Sequence, residues 1–243
     1  MKLLALDTST EACSAALLLD HEIHERFEMA PGAHSRLILP MIEELCAQAG
    51  VRLNDMDALV FGRGPGSFTG VRIATSVIQG LAYGVDLPVI PVSTLAALAQ
   101  GAWQLHQWPR VLAALDARMG EVYWGAFERD TDGVMRAVQD ECVLAPDQVS
   151  LSEHGEWYGV GPGWAAYTAA LQTRCGEYVA QFDGQIFPHA AYMLPIAAVE
   201  FRRGAVVSAE HAIPVYYAIR WRNGRSGNRC ILSSCCLSML SWT

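Results

Sequence analysis

The 243-residue sequence predicts an α/β protein that is built from two similar halves. An apolar strand that ends in Leu-Asp and is followed by a polar turn occurs at residues 4–7 and again at residues 113–116. A Gly-x-Gly-Pro-Gly loop between a strand and a helix also occurs twice, at residues 62–66 and 159–163. The same elements in the same order predict an internal duplication. Chance is the alternative, because apolar strands and glycine-rich helix entries are both common.

The first half predicts a strand meander, followed by helices and two further strands. Helical spacing of apolar residues predicts a helix that Gly50 ends, and Ser67 or Thr69 is placed to cap a second helix running to about Tyr83. An alanine-rich helix begins at Ser93. The predicted strands cover residues 2–7, 14–19, 24–30, 58–62 and 88–92, and the first helix covers residues 34–50.

The pattern restarts near Trp108, which divides the chain into predicted domains 1–108 and 109–216. Residues 110–116 and 121–127 predict two strands, and residues 157–158 predict the strand before the second glycine-rich loop. A helix is expected from about Trp164. Residues 217–243 form an atypical tail.

Composition and charge exclude several classes of function. Lys plus Arg is 17 and Asp plus Glu is 25, a net charge of −8, which argues against binding nucleic acid by bulk electrostatics. Lys2 is the only lysine, so no phosphate-loop lysine is available. The cysteines form no CxxC pair, and the apolar N-terminal run is too short for a signal peptide or a membrane span. We therefore expect a soluble cytoplasmic protein with no membrane contact.

The tail carries basic residues and cysteines but no acidic residue. One interpretation is a basic arm for RNA, and the other is an unfolded terminus read from a shifted frame. The cysteines lack the paired short spacing that a zinc site needs. The residues concerned are Arg220, Arg222, Arg225, Arg229, Cys230, Cys235 and Cys236.

Two sets of residues are candidates for a phosphate or metal site. Asp7, Thr8 and Ser9 follow the first strand, and Asp116 is the counterpart of Asp7; carboxylates and hydroxyls at such a turn hold metal-bound phosphate in several folds. Gly64 and Gly66 would let backbone amides approach an anion at a helix N-terminus. Both sets have a simpler interpretation, since Asp and Thr cap turns and a sharp turn needs glycine.

Catalytic motifs are not complete. His21 and His24 do not form an HExxH metalloprotease motif, because Glu25 stands where the second histidine is required. Ser67 is not in a Gly-x-Ser-x-Gly elbow, because Pro65 and Thr69 occupy the glycine positions. We predict no catalytic residue and no metal site.

The first two helices carry more apolar residues than one core-facing stripe requires. The excess predicts an exposed patch that binds a partner, or else the helices simply cover the sheet. The candidate interface residues are Leu37, Met41, Leu45, Val71, Ile78 and Leu81.

Three segments closely resemble the bacterial TsaB (YeaZ) family of threonylcarbamoyladenosine biosynthesis proteins: LDTSTE at 6–11, FGRGPGSFTGVRI at 61–73 and LDARMGEVY at 115–123. The likeness runs to about Tyr216. It implies two tandem actin/hsp70-like (RNase H-like) domains with mixed sheets flanked by helices. It also implies a non-catalytic accessory subunit that binds and activates TsaD, the paralogue that transfers threonylcarbamoyl to the adenosine next to the anticodon in tRNAs reading A-starting codons.

The resemblance also implies partners and cofactors. TsaE, a small ATPase, joins the complex; the isolated chain forms a homodimer through the first two helices, which also bind TsaD. ATP or ADP and a metal ion serve the assembled complex rather than this chain alone, and tRNA is held through the complex. TsaD carries its metal on an HxxxH motif at the positions of Thr94 and Leu98, which cannot replace imidazole. An ATP-dependent transferase and a peptidase of the wider family are the alternatives.

Overall fold

The computed structural model describes residues 1–151, 155–217 and 231–233, and it contains two mixed sheets flanked by helices. The first sheet has the order β3-β2-β1-β4-β5. Strands β1 to β3 form an antiparallel meander, while β4 and β5 run parallel to β1. Its strands are β1 (Lys2–Asp7), β2 (Ala12–Leu19), β3 (Glu22–Met29), β4 (Ala58–Gly62) and β5 (Val89–Val92).

The second sheet repeats this arrangement, with the order β11-β10-β6-β7-β8 and β9 also paired to β7. Its first strand is again central, antiparallel to the next strand and parallel to β10. This topology confirms the α/β class, and the same strand arrangement occurs twice, as the predicted internal duplication requires. The strands are β6 (Arg110–Arg118), β7 (Glu121–Arg129), β8 (Met135–Ala137), β9 (Cys142–Leu144), β10 (Trp157–Val160) and β11 (Val179–Asp183).

The helices begin and end close to the predicted positions in the first half. Gly50, with φ of +66°, ends the first helix as expected, and Ser67 rather than Thr69 caps the second by accepting a hydrogen bond from Gly70 N at 3.3 Å. The helices are α1 (His34–Ala49), α2 (Phe68–Val85), α3 (Thr94–His106), α4 (Pro162–Ala166), α5 (Thr168–Cys175) and α6 (Ala190–Arg202).

Helices α3 and α6 form a central layer between the two sheets. Although α3 follows the first sheet in sequence, it contacts β6, β7 and β8, while α6, from the second half, packs on β1, β2, β4 and β5. The resulting core joins Leu3 and Val60 of one sheet to Val111 of the other through Leu98 and Leu194. Each half therefore buries a helix of the other, and the division into domains at Trp108 stays a prediction.

The outer faces of the sheets are covered by the remaining helices. Helices α1 and α2 pack on the first sheet, and Trp164 of α4 lies in a separate core with Trp124 and Trp157. Near the C-terminus, β12 (Val215–Tyr217) pairs antiparallel with β13 (Ile231–Ser233). The arginines and cysteines singled out in the tail lie outside the described residues. In the part of the chain that is described, no helix has the length and apolar character that crossing a bilayer requires.

Candidate functional site

Asp7 lies at the end of β1, where it is completely buried. Its Oδ1 accepts hydrogen bonds from Ser9 N at 3.0 Å and from Ser9 Oγ at 2.9 Å, while Oδ2 finds no hydrogen-bond partner among the residues that the structure describes. Burial raises the pKa of Asp7 to about 7, although the Ser9 hydrogen bonds and the nearby His189 lower it. A carboxyl group in this setting is a buried acid rather than an open metal ligand.

The first glycine-rich loop packs directly on the turn that follows Asp7. A Cβ atom at Gly62 would overlap Asp7 Oδ2, and a Cβ at Gly66 would overlap the Ser9 carbonyl oxygen. Gly64, with φ of +97°, has no more room, because its Cβ would lie 2.8 Å from the Val215 carbonyl oxygen. Glycine is therefore required at these positions, because the loop passes too close to neighbouring segments of the chain to leave room for a side chain.

Hydrogen bonds hold the same turn and loop together. Ser67 N donates to the Ser9 carbonyl oxygen at 2.7 Å, and Thr8 Oγ1 donates to the Gly70 carbonyl oxygen at 2.7 Å. The structure therefore brings the predicted residues Asp7, Thr8, Ser9 and Gly66 together, whereas Gly64 lies against Val215 and Val71. It uses the first four residues to join β1 to the start of α2.

Asp116 lies at the matching turn of the second half and is about a quarter exposed. Its Oδ1 accepts hydrogen bonds from Arg118 N at 2.8 Å and from Tyr167 Oη at 3.0 Å. The Arg118 side chain then reaches Glu11 of the first half, with 2.9 Å between the guanidinium nitrogen and Oε1. Asp116 is therefore held as a turn residue within the second half, and Arg118 links this turn to the first half.

A cleft lies between the two halves and has a volume of about 850 Å³. Of the six predicted phosphate-binding residues, Ser9, Gly66 and Asp116 line it, whereas Asp7, Thr8 and Gly64 do not. Tyr123, Tyr216 and Tyr217 give it an aromatic wall. No group of three or more His, Cys, Asp or Glu side chains able to hold a metal occurs in the described ranges.

Thr94 and Leu98, the two positions that the family resemblance aligns with a metal-binding motif, are both buried. Thr94 Oγ1 donates a hydrogen bond to Ser9 Oγ at 3.2 Å, and Leu98 packs in the core between the sheets. Both side chains are used within the fold; a threonine hydroxyl is a poor ligand for a divalent cation, and a leucine side chain offers none.

The prediction of an exposed interface is wrong for four of its six residues. Met41, Leu45, Val71 and Ile78 are buried in the fold, because the helical stripe they occupy is the one that faces the chain's own core. Leu37 and Leu81 are only half-buried. For these four residues the simpler interpretation holds, since their side chains are buried where the helices cover the sheet.

The outward side of α2 nevertheless lacks charge to an unusual degree. Arg72 is the single charged residue among its 18 residues. Ile73, Val77 and Leu81, each four residues from the next, are half-buried along one stripe of this side. We call these three residues the α2 face. The sequence signal that identifies it is the near absence of charge over five helical turns, rather than the position of any one leucine.

Comparisons with known proteins agree with this description. The family described as "TsaD: tRNA N6-adenosine threonylcarbamoyltransferase" matches residues 18–214. The chain is 47% identical to the tRNA threonylcarbamoyladenosine biosynthesis protein TsaB of Escherichia coli strain K12, over 89% of this chain and 94% of that protein. It is 45% identical to TsaB of Haemophilus influenzae, over 89% and 93% of the two chains. The crystal structure of YeaZ from Pseudomonas aeruginosa matches with a TM-score of 0.84 at 46% identity, covering 88% of this chain and 99% of that one.

Proposed function

The chain belongs to the TsaB family of tRNA threonylcarbamoyladenosine biosynthesis proteins, and we propose that it acts there as a non-catalytic accessory subunit that binds and activates TsaD. In this proposal the chain works in the cytoplasm, and it contributes a docking surface instead of an active site.

The observation that carries the proposal is the uncharged α2 face. A helix that covers a sheet in a monomer ordinarily presents charged side chains to water on its outer side. Here Ile73, Val77 and Leu81 are incompletely covered, and Gly80 and Gly84 have open space around them. Small residues between apolar ones would let the backbone of a partner helix approach closely. The α2 face therefore suits an apolar protein partner.

The candidate site supports the non-catalytic part of the proposal. The carboxyl group that would bridge a metal ion, that of Asp7, is buried beneath Ser9, and its neighbours are held by contacts within the chain. Ser67, the best nucleophile a peptidase would have, serves as the cap of α2. We therefore assign the ATP or ADP and the metal ion to the assembled complex with TsaD and TsaE.

Homodimer formation in isolation is part of the same proposal. A second copy would cover the α2 face in the absence of TsaD, so the two assemblies would compete for one surface. The tRNA would be held through the complex, since the acidic chain offers little attraction of its own to phosphate.

Size-exclusion chromatography with light scattering on mixtures with TsaD tests the docking surface. Wild-type chain should give a one-to-one complex, and Val77→Glu and Leu81→Glu should each abolish it, because a carboxylate would be buried unpaired. Leu105→Glu is the matched control, since Leu105 is an exposed leucine of α3 away from the α2 face. A complex that survives both α2 substitutions would overturn the proposal.

A further inference from the structure

Residues 212–217 run beside α2 and then reach the second half of the molecule; we call them the strap. On the first half, Gln79 Nε2 of α2 donates to the Ala212 carbonyl oxygen at 3.0 Å. Val215 N donates to the Arg63 carbonyl oxygen at 2.8 Å, and the Val215 carbonyl oxygen lies against Gly64. The strap is thus fixed to both α2 and the loop before it.

Tyr216 anchors the strap at the start of α2. Its ring contacts Phe68, with 5.4 Å between the ring centroids, and its Oη accepts a hydrogen bond from Arg72 Nε at 3.3 Å. The Arg72 guanidinium also lies over the Phe68 ring, 3.8 Å from its centroid. The single charge of α2 is therefore used to hold Tyr216.

Tyr217, the next residue, is anchored to the opposite half. Its Oη donates a hydrogen bond to Glu141 Oε2 at 3.0 Å, and its ring lies 6.3 Å from that of Tyr123 in β7. Ser93 Oγ, at the start of α3, donates to the other oxygen of Glu141. Burial raises the pKa of Tyr217, as does the Glu141 carboxylate, so its phenol stays protonated and able to donate.

We propose that the strap sets the opening of the cleft and couples this opening to α2. Consecutive Cα atoms are about 3.8 Å apart, so Tyr216 and Tyr217 cannot follow the two halves apart unless one anchor breaks. Both tyrosines line the cleft. At the mouth of the cleft, Arg118 and Glu11 form another link between the halves, but this ion pair is largely exposed and contributes little.

The inference does not require TsaD to bind the chain, so its test uses the chain alone. A spin label carried by a genetically encoded keto amino acid leaves the cysteines in place. Labels at Ser35 of α1 and at Met119, which is 99% exposed at the tip of the β6–β7 hairpin, report the distance across the cleft by pulsed electron resonance. The strap variant combines Tyr216→Ala with Tyr217→Phe.

The strap variant should shift the distance distribution to longer values and broaden it. Tyr217→Phe alone keeps the ring and loses only the hydrogen bond to Glu141, so it should fold and show a smaller shift in the same direction. Tyr158→Phe, which loses an exposed hydrogen bond to Glu156, is the control and should leave the distribution unchanged. An unchanged distribution in both strap variants, with native circular dichroism, would overturn the inference while leaving the docking surface on α2 untouched.

Discussion

At the scale of the residue, Asp7 shows how a side chain that suggests metal chemistry serves packing. Its position after an apolar strand was predictable from the sequence, and so was its nearness to the glycine-rich loop. Its burial was not predictable, because residues distant in sequence surround it: Gly62 lies against its Oδ2, and Thr94 of α3 donates a hydrogen bond to Ser9, which itself donates to Oδ1. A local motif cannot reveal a cover that comes from elsewhere in the fold.

Asp7→Asn should remove a pH dependence of stability. The pKa of about 7 in the folded chain lies above the ordinary 3.8, so the folded state binds the proton more tightly and stability falls as pH rises from about 4 to 7. Urea unfolding should show a wild-type loss of about 2–3 kcal/mol in the free energy of unfolding between pH 5 and pH 8, and Asp7→Asn should not show this loss. Asp20→Asn, at an exposed carboxylate, controls for charge. Parallel pH profiles for wild type and Asp7→Asn would contradict the assignment of Asp7 as a buried acid.

Two glycines of α2 should respond in opposite directions to alanine. A Cβ at Gly70 would overlap the Thr8 carbonyl oxygen, whereas the space around Gly80 is open. Gly80→Ala should raise the free energy of unfolding by up to about 1 kcal/mol, because alanine has the higher helix propensity. Gly70→Ala gains the same propensity but should lower the free energy of unfolding, because its Cβ overlaps the turn. Thermal unfolding of the two variants measures both. Stabilisation by Gly70→Ala would show that the turn is not tightly packed on α2.

At the scale of the element, buried apolar strands were predicted well and short edge strands were not. The strands β1 and β4 match their predicted ranges, because each is an unbroken apolar run bounded by a turn residue. The strands β8, β9 and β11 were not predicted, because they are short, show no regular alternation of apolar and polar residues, and lie at or near the edge of the sheet. The positions of α1 and α2 in the sequence were predicted correctly, but the residues expected on their exposed side were not. Periodicity alone does not say which apolar stripe faces the sheet.

The start of α6 depends on a residue of the first half. Ser14 Oγ accepts a hydrogen bond from the buried Ala190 N at 2.9 Å, a contact between residues 176 positions apart. Ser14→Ala should cost about 1–3 kcal/mol in the free energy of unfolding, because a buried N–H is left unpaired. Ser76→Ala, at an exposed site on α2, is the control for loss of a hydroxyl. Equal stabilities of the two variants in urea would contradict the role given to Ser14.

At the scale of the whole molecule, the duplicated halves are joined by an exchange of helices. The central layer of α3 and α6 contacts both sheets, so neither half has a complete core without the other. The duplication was visible in the sequence as two Asp turns and two glycine-rich loops. The exchange was not visible, because α3 and α6 are apolar on several sides and their sequences do not specify the sheet they join.

The shared core should make unfolding a single cooperative transition. Trp124, Trp157 and Trp164, three of the seven tryptophans, are buried in the second half. The part of the tryptophan fluorescence that comes from these buried rings therefore reports on that half, while far-ultraviolet circular dichroism reports on the whole chain. We expect the two probes to give coincident denaturation curves. A fluorescence transition displaced from that of circular dichroism would show that the halves unfold independently.

We propose that this chain supports tRNA modification through a docking surface and not through chemistry in its own cleft. The most direct test is the rate of threonylcarbamoyl transfer to tRNA by TsaD and TsaE with wild-type chain, with Val77→Glu and with Asp7→Asn. With Val77→Glu the rate of transfer should fall at least about tenfold below the rate with wild-type chain, equivalent to about 1.4 kcal/mol of lost interaction. With Asp7→Asn the rate should stay at the wild-type value. Loss of transfer in Asp7→Asn, together with full activity in Val77→Glu, would contradict the claim.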